Sequence, residues 1–507
     1  MQATTQSPLF DSQGVYSIET KIYQTGRVSS HHLMELAGKA AFEVIRKLKP
    51  HAKTLSVVAG PGNNAGDGYI LASLAHQNQL DVRVYPLIPP EQLYGDALSA
   101  YQFFSSIGGE TLSFIPNDFE GTEILVDAIL GTGLNRAIEE PFFTAIQAIN
   151  RYRWNCPDKQ AKSRFIFSLD MPSGLNASTG AVANLAVKAD ATLTFLAPKQ
   201  GLYTGDGPEH AGQIFLDKLY VGSPVTKSAT PTSWLLTSES FSLPKRNRGG
   251  HKGSYGHAIV LGGDIGLGGA PKIAALGAAR SGAGKVTLGT RDAYANQIDS
   301  LNPEIMVQGV DTIHPLRQLL QRADVIALGP GLGQAKWGHQ VFEMAINSEK
   351  PKVIDADALN FLALAPQKLE SSILTPHPGE AGRLLGISTS DVQRDRFAAV
   401  EALHQKYNSI IVLKGAGTLV FCGGDVPTII PKGNPGMASG GMGDLLTGII
   451  SGLLAQGLPL LEAAKTGAYI HGLAGDQAAK DQGEIGLLAT DLLPYLPKIL
   501  NGRQEPS

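Results

Sequence analysis

Short apolar, β-branched runs alternate with helix-patterned stretches from about residue 54 to 219, lapse, and resume near residue 256. In the first half the candidate strands are residues 55–59, 82–85, 124–127, 165–169 and 191–196, with helices at 67–77 and 94–104. In the second half they are 257–261, 285–288, 325–328, 352–355 and 410–413. Strands separated by helical crossovers pair in parallel, and the helices cover both faces of the sheet. Each half is therefore expected to be an α/β, doubly wound domain. Residues 222–233 are rich in Gly, Pro, Ser and Thr and poor in core formers. The expected division is a domain at 1–222, a linker at 223–243 and a domain at 244–507, which suits a chain too long for one core.

Composition narrows the partners. The chain carries 59 glycines with no repeat, as expected where strand-to-helix turns approach ligands. Its net charge is −3, and the small patch Lys245-Arg246-Asn247-Arg248 reads as a solvated linker, so no nucleic acid is expected. Cys156 and Cys422 stand in no metal-binding spacing, which fits a reducing compartment. The first residues lack a charged region followed by an apolar core, and the apolar run 445–461 is broken by glycines and Gln456. A cytoplasmic protein with no membrane partner is expected.

The second half carries a Gly-rich segment, Gly433-Asn434-Pro435-Gly436-Met437-Ala438-Ser439-Gly440-Gly441-Met442-Gly443-Asp444, that runs into a helix-patterned stretch at 445–454. Such a segment either caps the helix or collects backbone N–H groups around an anion at the positive end of the helix dipole. Asp444 would repel a phosphate, so beside an anion hole its use is to take a proton from, or orient, a hydroxyl facing that phosphate. Four further turns follow the strand pattern: residues 262–270, Gly329-Pro330-Gly331-Leu332-Gly333, Thr375-Pro376-His377-Pro378-Gly379-Glu380, and Lys414-Gly415-Ala416-Gly417-Thr418. Ligands of open α/β sheets sit at the carboxyl ends of strands, where most of these turns lie.

Together with His251-Lys252-Gly253-Ser254-Tyr255-Gly256, these motifs resemble the ribokinase-like superfamily over residues 243–500, and within it the NAD(P)H-hydrate dehydratases. The resemblance implies an enzyme that removes water from NADHX and NADPHX, cofactors hydrated at C6 of the nicotinamide ring, at the expense of a nucleotide. It implies that Ala270, Gly331, Gly333, His377 and Asp444 contact the hydrated cofactor. Lys414, Gly415, Ala416, Gly417, Thr418 and Gly443 would hold ADP, with Mg2+ accompanying it. Asp444 would act on the C6 hydroxyl. On the residues alone, His377 also reads as a satisfied loop histidine and Lys414 as a surface lysine. Glu380 is either a metal-orienting carboxylate, as in related vitamin kinases, or a charge at a helix N-terminus.

In the first half, Gly60-Pro61-Gly62-Asn63-Asn64-Ala65-Gly66-Asp67-Gly68 follows the first strand and opens a helix, the position of a dinucleotide fingerprint. The third glycine is displaced and the strand ending near Tyr85 carries no terminal acid, which disfavours an ordinary NAD dehydrogenase. Asn63, Asn64, Asp67, Asp127, Asp170 and Ser173 instead offer hard oxygen ligands, and residues 131–136 offer a loop able to wrap phosphates. The set resembles the YjeF N-terminal family, the NAD(P)H-hydrate epimerases with a Rossmann-like fold, over residues 17–220. That resemblance implies K+ on Asn64, Asp127 and Ser173. It implies hydrated cofactor on Asn63, Asn64, Ala65, Gly66, Asp67, Gly131, Thr132, Gly133, Leu134, Asn135, Arg136, Ala137 and Asp170, with Asp170 as the proton-transfer residue.

The combined expectation is a bifunctional repair enzyme, an isomerase and a lyase in one chain, acting on NADHX and NADPHX and forming a homo-oligomer. The rivals are a small-molecule or vitamin kinase fused to a nucleotide-binding module, and a scaffold without activity.

Overall fold

All the runs expected to be strands are strands, because aliphatic residues alternate between two buried faces along them. In the first half Val57, Val126 and Phe167 enter one apolar core, while Val58, Leu125 and Ile166 enter the core on the opposite face. The structure, a computed structural model, describes residues 6–24, 26, 28–134, 136–153, 164–219, 229–237, 246–295 and 302–502. It divides into two compact units, Pro8–Ser233 and Trp234–Ser507 with Met1–Ser7. In chain order its strands are β1 (Ser7–Leu9), β2 (Thr54–Ala59), β3 (Asp81–Pro86), β4 (Ile124–Ala128), β5 (Phe165–Leu169), β6 (Ala191–Phe195) and β7 (Gln213–Asp217). They continue as β8 (Ser233–Leu235), β9 (His257–Leu261), β10 (Lys285–Thr290), β11 (Met306–Gly309), β12 (Val325–Leu328), β13 (Lys352–Ile354) and β14 (Ser372–Leu374). The last are β15 (Ile410–Leu413), β16 (Thr418–Phe421) and β17 (Thr428–Ile430).

In the first unit the order β3-β2-β4-β5-β6-β7 is parallel throughout. The chain leaves β2 for β3 on one side and returns as β4 on the other, so the order reverses between β2 and β4. A crevice for ligands opens at the carboxyl ends of strands at such a reversal. Here the two turns touch: a Cβ on Gly60 would lie 2.0 Å from the Ile129 carbonyl oxygen, so glycine is required.

The second unit repeats the device. From β8 its order is β8-β17-β16-β15-β14-β13-β12-β9-β10-β11, and the strands from β15 to β11 are mutually parallel. Here the reversal falls between β9 and β12, where a Cβ on Gly262 would lie 1.9 Å from the Pro330 carbonyl oxygen. Across this edge the helix Met442–Ala455 packs on the helix Gly269–Arg280. Their approach is closest at Gly448, whose added Cβ would stand 2.0 Å from the Ala274 carbonyl oxygen.

Three expectations need correction. The stretch read as linker, 223–243, contains β8, paired in parallel with β17; its parts 223–228 and 238–243 lie outside the described residues. A three-residue strand is too short for its periodicity to stand out. The first helix begins at Asn63, not residue 67, which places Asn63 and Asn64 inside its first turn. The second is Gly95–Ser106 and not 94–104. β1, β7, β11, β14, β16 and β17 also escaped notice: β7 and β11 are partly exposed edge strands, β1, β14 and β17 have three residues each, and β16 pairs antiparallel with both neighbours. Among the described residues no helix is long and apolar enough to cross a membrane. Cys422 is free, and Cys156 lies outside the described residues.

Candidate active sites

In the first unit the polar residues converge on the β2–β4 crevice. Asn64 is buried, and both atoms of its side-chain amide are without a hydrogen-bond partner among the described residues. An amide so placed costs about 1–3 kcal/mol per unmet group unless a ligand meets it. Asp127, fully buried at the end of β4, accepts from the Ser173 hydroxyl at 2.5 Å and the Ser173 and Ile129 amides at 2.8 and 3.3 Å. The Ser168 hydroxyl donates to it as well, at 2.8 Å. Burial pushes the Asp127 carboxyl up, and these hydrogen bonds partly offset it.

β5 ends in a sharp turn in which Asp170 takes φ +63, a conformation rare for a residue with a Cβ and concentrated at functional sites. That turn directs its carboxylate to Lys199, whose ammonium lies 2.5 Å away and donates to the Phe195 carbonyl at 2.7 Å. Lys199 is 1% exposed, and sequence reasoning missed it. Its position just past β6 was the available signal, since strand-end turns carry the site. A Cβ on Gly131 would lie 3.1 Å from Asp170 Oδ2 and 3.8 Å from Asn64 Cβ, so these three expected residues stand together. Burial, then the Asp170 and Glu19 carboxylates, push the Asp67 carboxyl well up, with Lys199 opposing.

Other expected residues are placed differently. Ala65 is fully buried and Gly66 backs onto Met34, leaving them only backbone to offer. Asn63, Gly133, Arg136 and Ala137 are exposed, Thr132 and Leu134 half-buried. Asn135 lies outside the described residues.

In the second unit an ion-pair chain crosses the ends of β13, β14 and β15. Lys414 Nζ lies 2.7 Å from Asp355 Oδ1 and 3.7 Å from Glu380 Oε2, while Thr447 Oγ1 donates to Asp355 Oδ2 at 2.8 Å. Lys414 is thus no surface lysine. Burial alone would lower its ammonium, but Asp355 and Glu380 outweigh that and hold it raised. Asp355 is buried too; desolvation would raise it, and Lys414 with its other donors holds it low. Neither Asp355 nor Thr447 was expected from sequence, although Asp355 directly follows a strand. Gly443 completes the contact, since its added Cβ would meet Lys414 Nζ at 3.1 Å.

The motif His377-Pro378-Gly379-Glu380 is a capping box. His377 Nδ1 accepts from the Gly379 and Glu380 amides at 3.0 and 3.3 Å, and Glu380 Oε2 accepts from the His377 amide at 2.8 Å. Burial, then Lys414 and Arg383, keep the ring's pKa low, so it is neutral with the proton on Nε2. Of the two uses open to Glu380, the geometry is that of the helix cap, with its carboxylate also turned to Lys414. Burial pushes that carboxyl up, Lys414 opposing.

Within the Gly-rich segment Gly441 is the N-cap of the helix Met442–Ala455 with φ +89, and Asp444 stands in that helix's first turn. First-turn N–H groups have no partner within their own helix and face whatever sits at its end. Burial, then Asp355, Glu380 and Asp357, push the Asp444 carboxyl up to about 6, Lys414 opposing. Ala270 lies beside Gly331, whose added Cβ would be 3.3 Å from the Ala270 Cβ. The Gly333 amide donates to Asp357 Oδ2 at 2.9 Å. In the turn after β15, Gly415 and Ala416 are exposed, Gly417 is buried, and the Thr418 hydroxyl is used internally on the Gly415 carbonyl at 3.0 Å. One edge thus offers a helix N-terminus, a lysine, and a carboxyl pushed up to about 6, parts that can move a phosphoryl group onto a hydroxyl.

Residues 30–201 match the family model of the YjeF-related protein N-terminus, and residues 258–498 that of NAD(P)H-hydrate dehydratase. The chain is 43% identical over 496 residues to the bifunctional NAD(P)H-hydrate repair enzyme Nnr of Coxiella burnetii, covering 97% of this chain and 99% of that protein. It is 40% identical over 472 residues to the Escherichia coli protein of the same description, covering 93% and 90%. It is also similar to the crystal structure of the ADP/ATP-dependent NAD(P)H-hydrate dehydratase from Bacillus subtilis co-crystallized with ATP/Mg2+. That match has 31% identity, covers 52% of this chain and 95% of that one, and has a TM-score of 0.47. Both halves and their order agree, and the chain belongs to the bifunctional NAD(P)H-hydrate repair enzymes, an N-terminal epimerase joined to a C-terminal dehydratase.

Proposed function

We propose that the second site dehydrates (S)-NAD(P)HX by first phosphorylating it, with ADP as donor. The observation that carries this is Asp444, a carboxyl raised to about 6 in the first turn of a helix whose Gly443 abuts Lys414. At neutral pH Asp444 is mostly ionised and accepts the proton of the C6 hydroxyl, whose oxygen then takes the terminal phosphoryl group while AMP leaves. The amides of residues 440–443 and the Lys414 ammonium face the charge that develops. Phosphate is a far better leaving group than hydroxide. The ring nitrogen expels it from C6, loss of a proton from C5 restores the dihydronicotinamide, and the products are NAD(P)H, AMP and phosphate. His377, Ala270, Gly331 and Gly333 line the cofactor side; Gly415, Ala416, Gly417 and Thr418 form the nucleotide side. Among the described residues there is no group of three or more His, Cys, Asp or Glu side chains arranged to hold a metal ion. Mg2+ would enter on the nucleotide, where it would neutralise phosphate charge.

In the first unit, Asp170 paired with Lys199 moves the proton in the interconversion of (R)- and (S)-NAD(P)HX. Asn64, Asp127 and Ser173 suit K+, because the unmet Asn64 amide and the buried carboxylate and hydroxyl are hard oxygen donors in one crevice. K+ held there would supply a fixed positive charge. In this reading Asn63, Asp67, Gly131, Thr132, Gly133, Leu134, Arg136 and Ala137 contact the hydrated cofactor. A cytoplasmic homo-oligomer without nucleic-acid or membrane partners belongs to this reading.

Incubation with NADHX and ADP tests it. Recovery of NADH absorbance with AMP and phosphate in equal amounts is expected; a stable phosphorylated product would instead mark a small-molecule kinase.

A further inference from the structure

Beneath the turn after β15 lies an arginine that none of this chemistry uses. Arg396, the first residue of the helix Arg396–Tyr407, is 0% exposed. Burying a guanidinium costs several kcal/mol, and an apolar side chain of similar volume would fill the space at less cost. Its nitrogens are spent on the chain end of β15. Nη2 donates to the Leu413 and Lys414 carbonyls at 3.2 and 3.4 Å, and Nη1 to the Lys414 carbonyl at 3.4 Å and to Gln393 Oε1 at 2.8 Å. The next residue, Gly415, has φ +133, and a Cβ there would lie 2.9 Å from Arg396 Nη1. One planar fork therefore holds two consecutive residues, Leu413 and Lys414, and lies close against Gly415. A lysine, a point donor on a flexible stem, cannot reproduce that.

We infer that Arg396 is the positioning residue of the nucleotide turn: it clamps the backbone of Leu413 and Lys414 so that the Lys414 ammonium meets Asp355 and the turn 414–418 is held open to the nucleotide. The inference rests on the assignment of that turn to ADP. Arg396 acts through the backbone and touches neither substrate, so its loss falls on nucleotide binding. The hydrated cofactor also rests on Ala270, Gly331 and Gly333, after β9 and β12, so its binding changes less.

The test is steady-state kinetics of the full-length protein with (S)-NADHX and ADP, comparing wild type with Arg396→Met, Arg396→Lys and Gly415→Ala. Gly415→Ala presses on the same fork from the other side. The expected result is a KM for ADP raised about tenfold or more in Arg396→Met and Gly415→Ala, with the KM for NADHX within about twofold of wild type. Arg396→Lys should recover only part of the loss. A folded variant of lower thermal stability but unchanged KM for ADP overturns the inference, since a merely structural arginine predicts that result. If Arg396→Met does not fold, Arg396→Lys decides by the same criterion. Failure of the underlying assignment looks different: wild type itself would then show no saturation by ADP.

Discussion

At the scale of single residues, the second site is held by charges that need one another. Lys414 sits between Asp355 and Glu380, and Asp355 is buried with Lys414 and Thr447 as partners. Lys414→Met strands a buried carboxylate and is expected to cost about 3–5 kcal/mol in urea unfolding of this unit. Adding Asp355→Asn should return part of it, which a double-mutant cycle measures. Asp444 carries the pH dependence. Its carboxyl lies at about 6 against an ordinary 3.8, so the folded state binds the proton more tightly than the unfolded state. Its contribution to stability is complete below about pH 3.8 and lost as pH rises through about 6. Asp444→Asn should therefore raise the melting temperature at pH 7.5 by about 2–4 °C while abolishing dehydration, with the gain in melting temperature vanishing below about pH 4. In wild type, kcat/KM for dehydration should fall as pH drops below about 6, because the base is then protonated.

Among the elements, the helix Met442–Ala455 decides where the anion-facing end sits, and glycine decides how close it packs. Gly448→Ala puts a Cβ 2.0 Å from the Ala274 carbonyl, backbone that cannot swing aside. It should destabilise the unit by about 1–3 kcal/mol and lower kcat for dehydration more than the KM for NADHX, because it shifts the helix end that carries Asp444. The turn before the helix Pro378–Leu385 was legible as a motif but not as a geometry. His377 is spaced from Glu380 as a capping box requires, yet that Nδ1 caps while Nε2 lies 3.5 Å from Glu380 Oε1 depends on the three-dimensional turn.

Across the whole molecule, two sites for one damaged cofactor share a chain. Given racemic NADHX with ADP, an Asp170→Asn protein should consume the S form and stall, and Asp444→Asn should interconvert the epimers while releasing no NADH; chiral chromatography of the residual substrate separates the two. The alternation of strands and helices, the glycine turns and the oxygen-rich crevice were all legible in the sequence, because periodicity and turn chemistry are local properties of a chain. Lys199 beside Asp170, Asp355 beside Lys414, the clamp of Arg396 and the strand Ser233–Leu235 were not. Lys199 and Asp355 follow strand ends 29 and 59 residues from their partners, Arg396 opens a helix 17 residues before Leu413, and only the closing of the sheet decides which of them become neighbours. Which residues carry the chemistry is thus written locally, whereas the charges that tune them come from packing, since burial and proximity have no local signature.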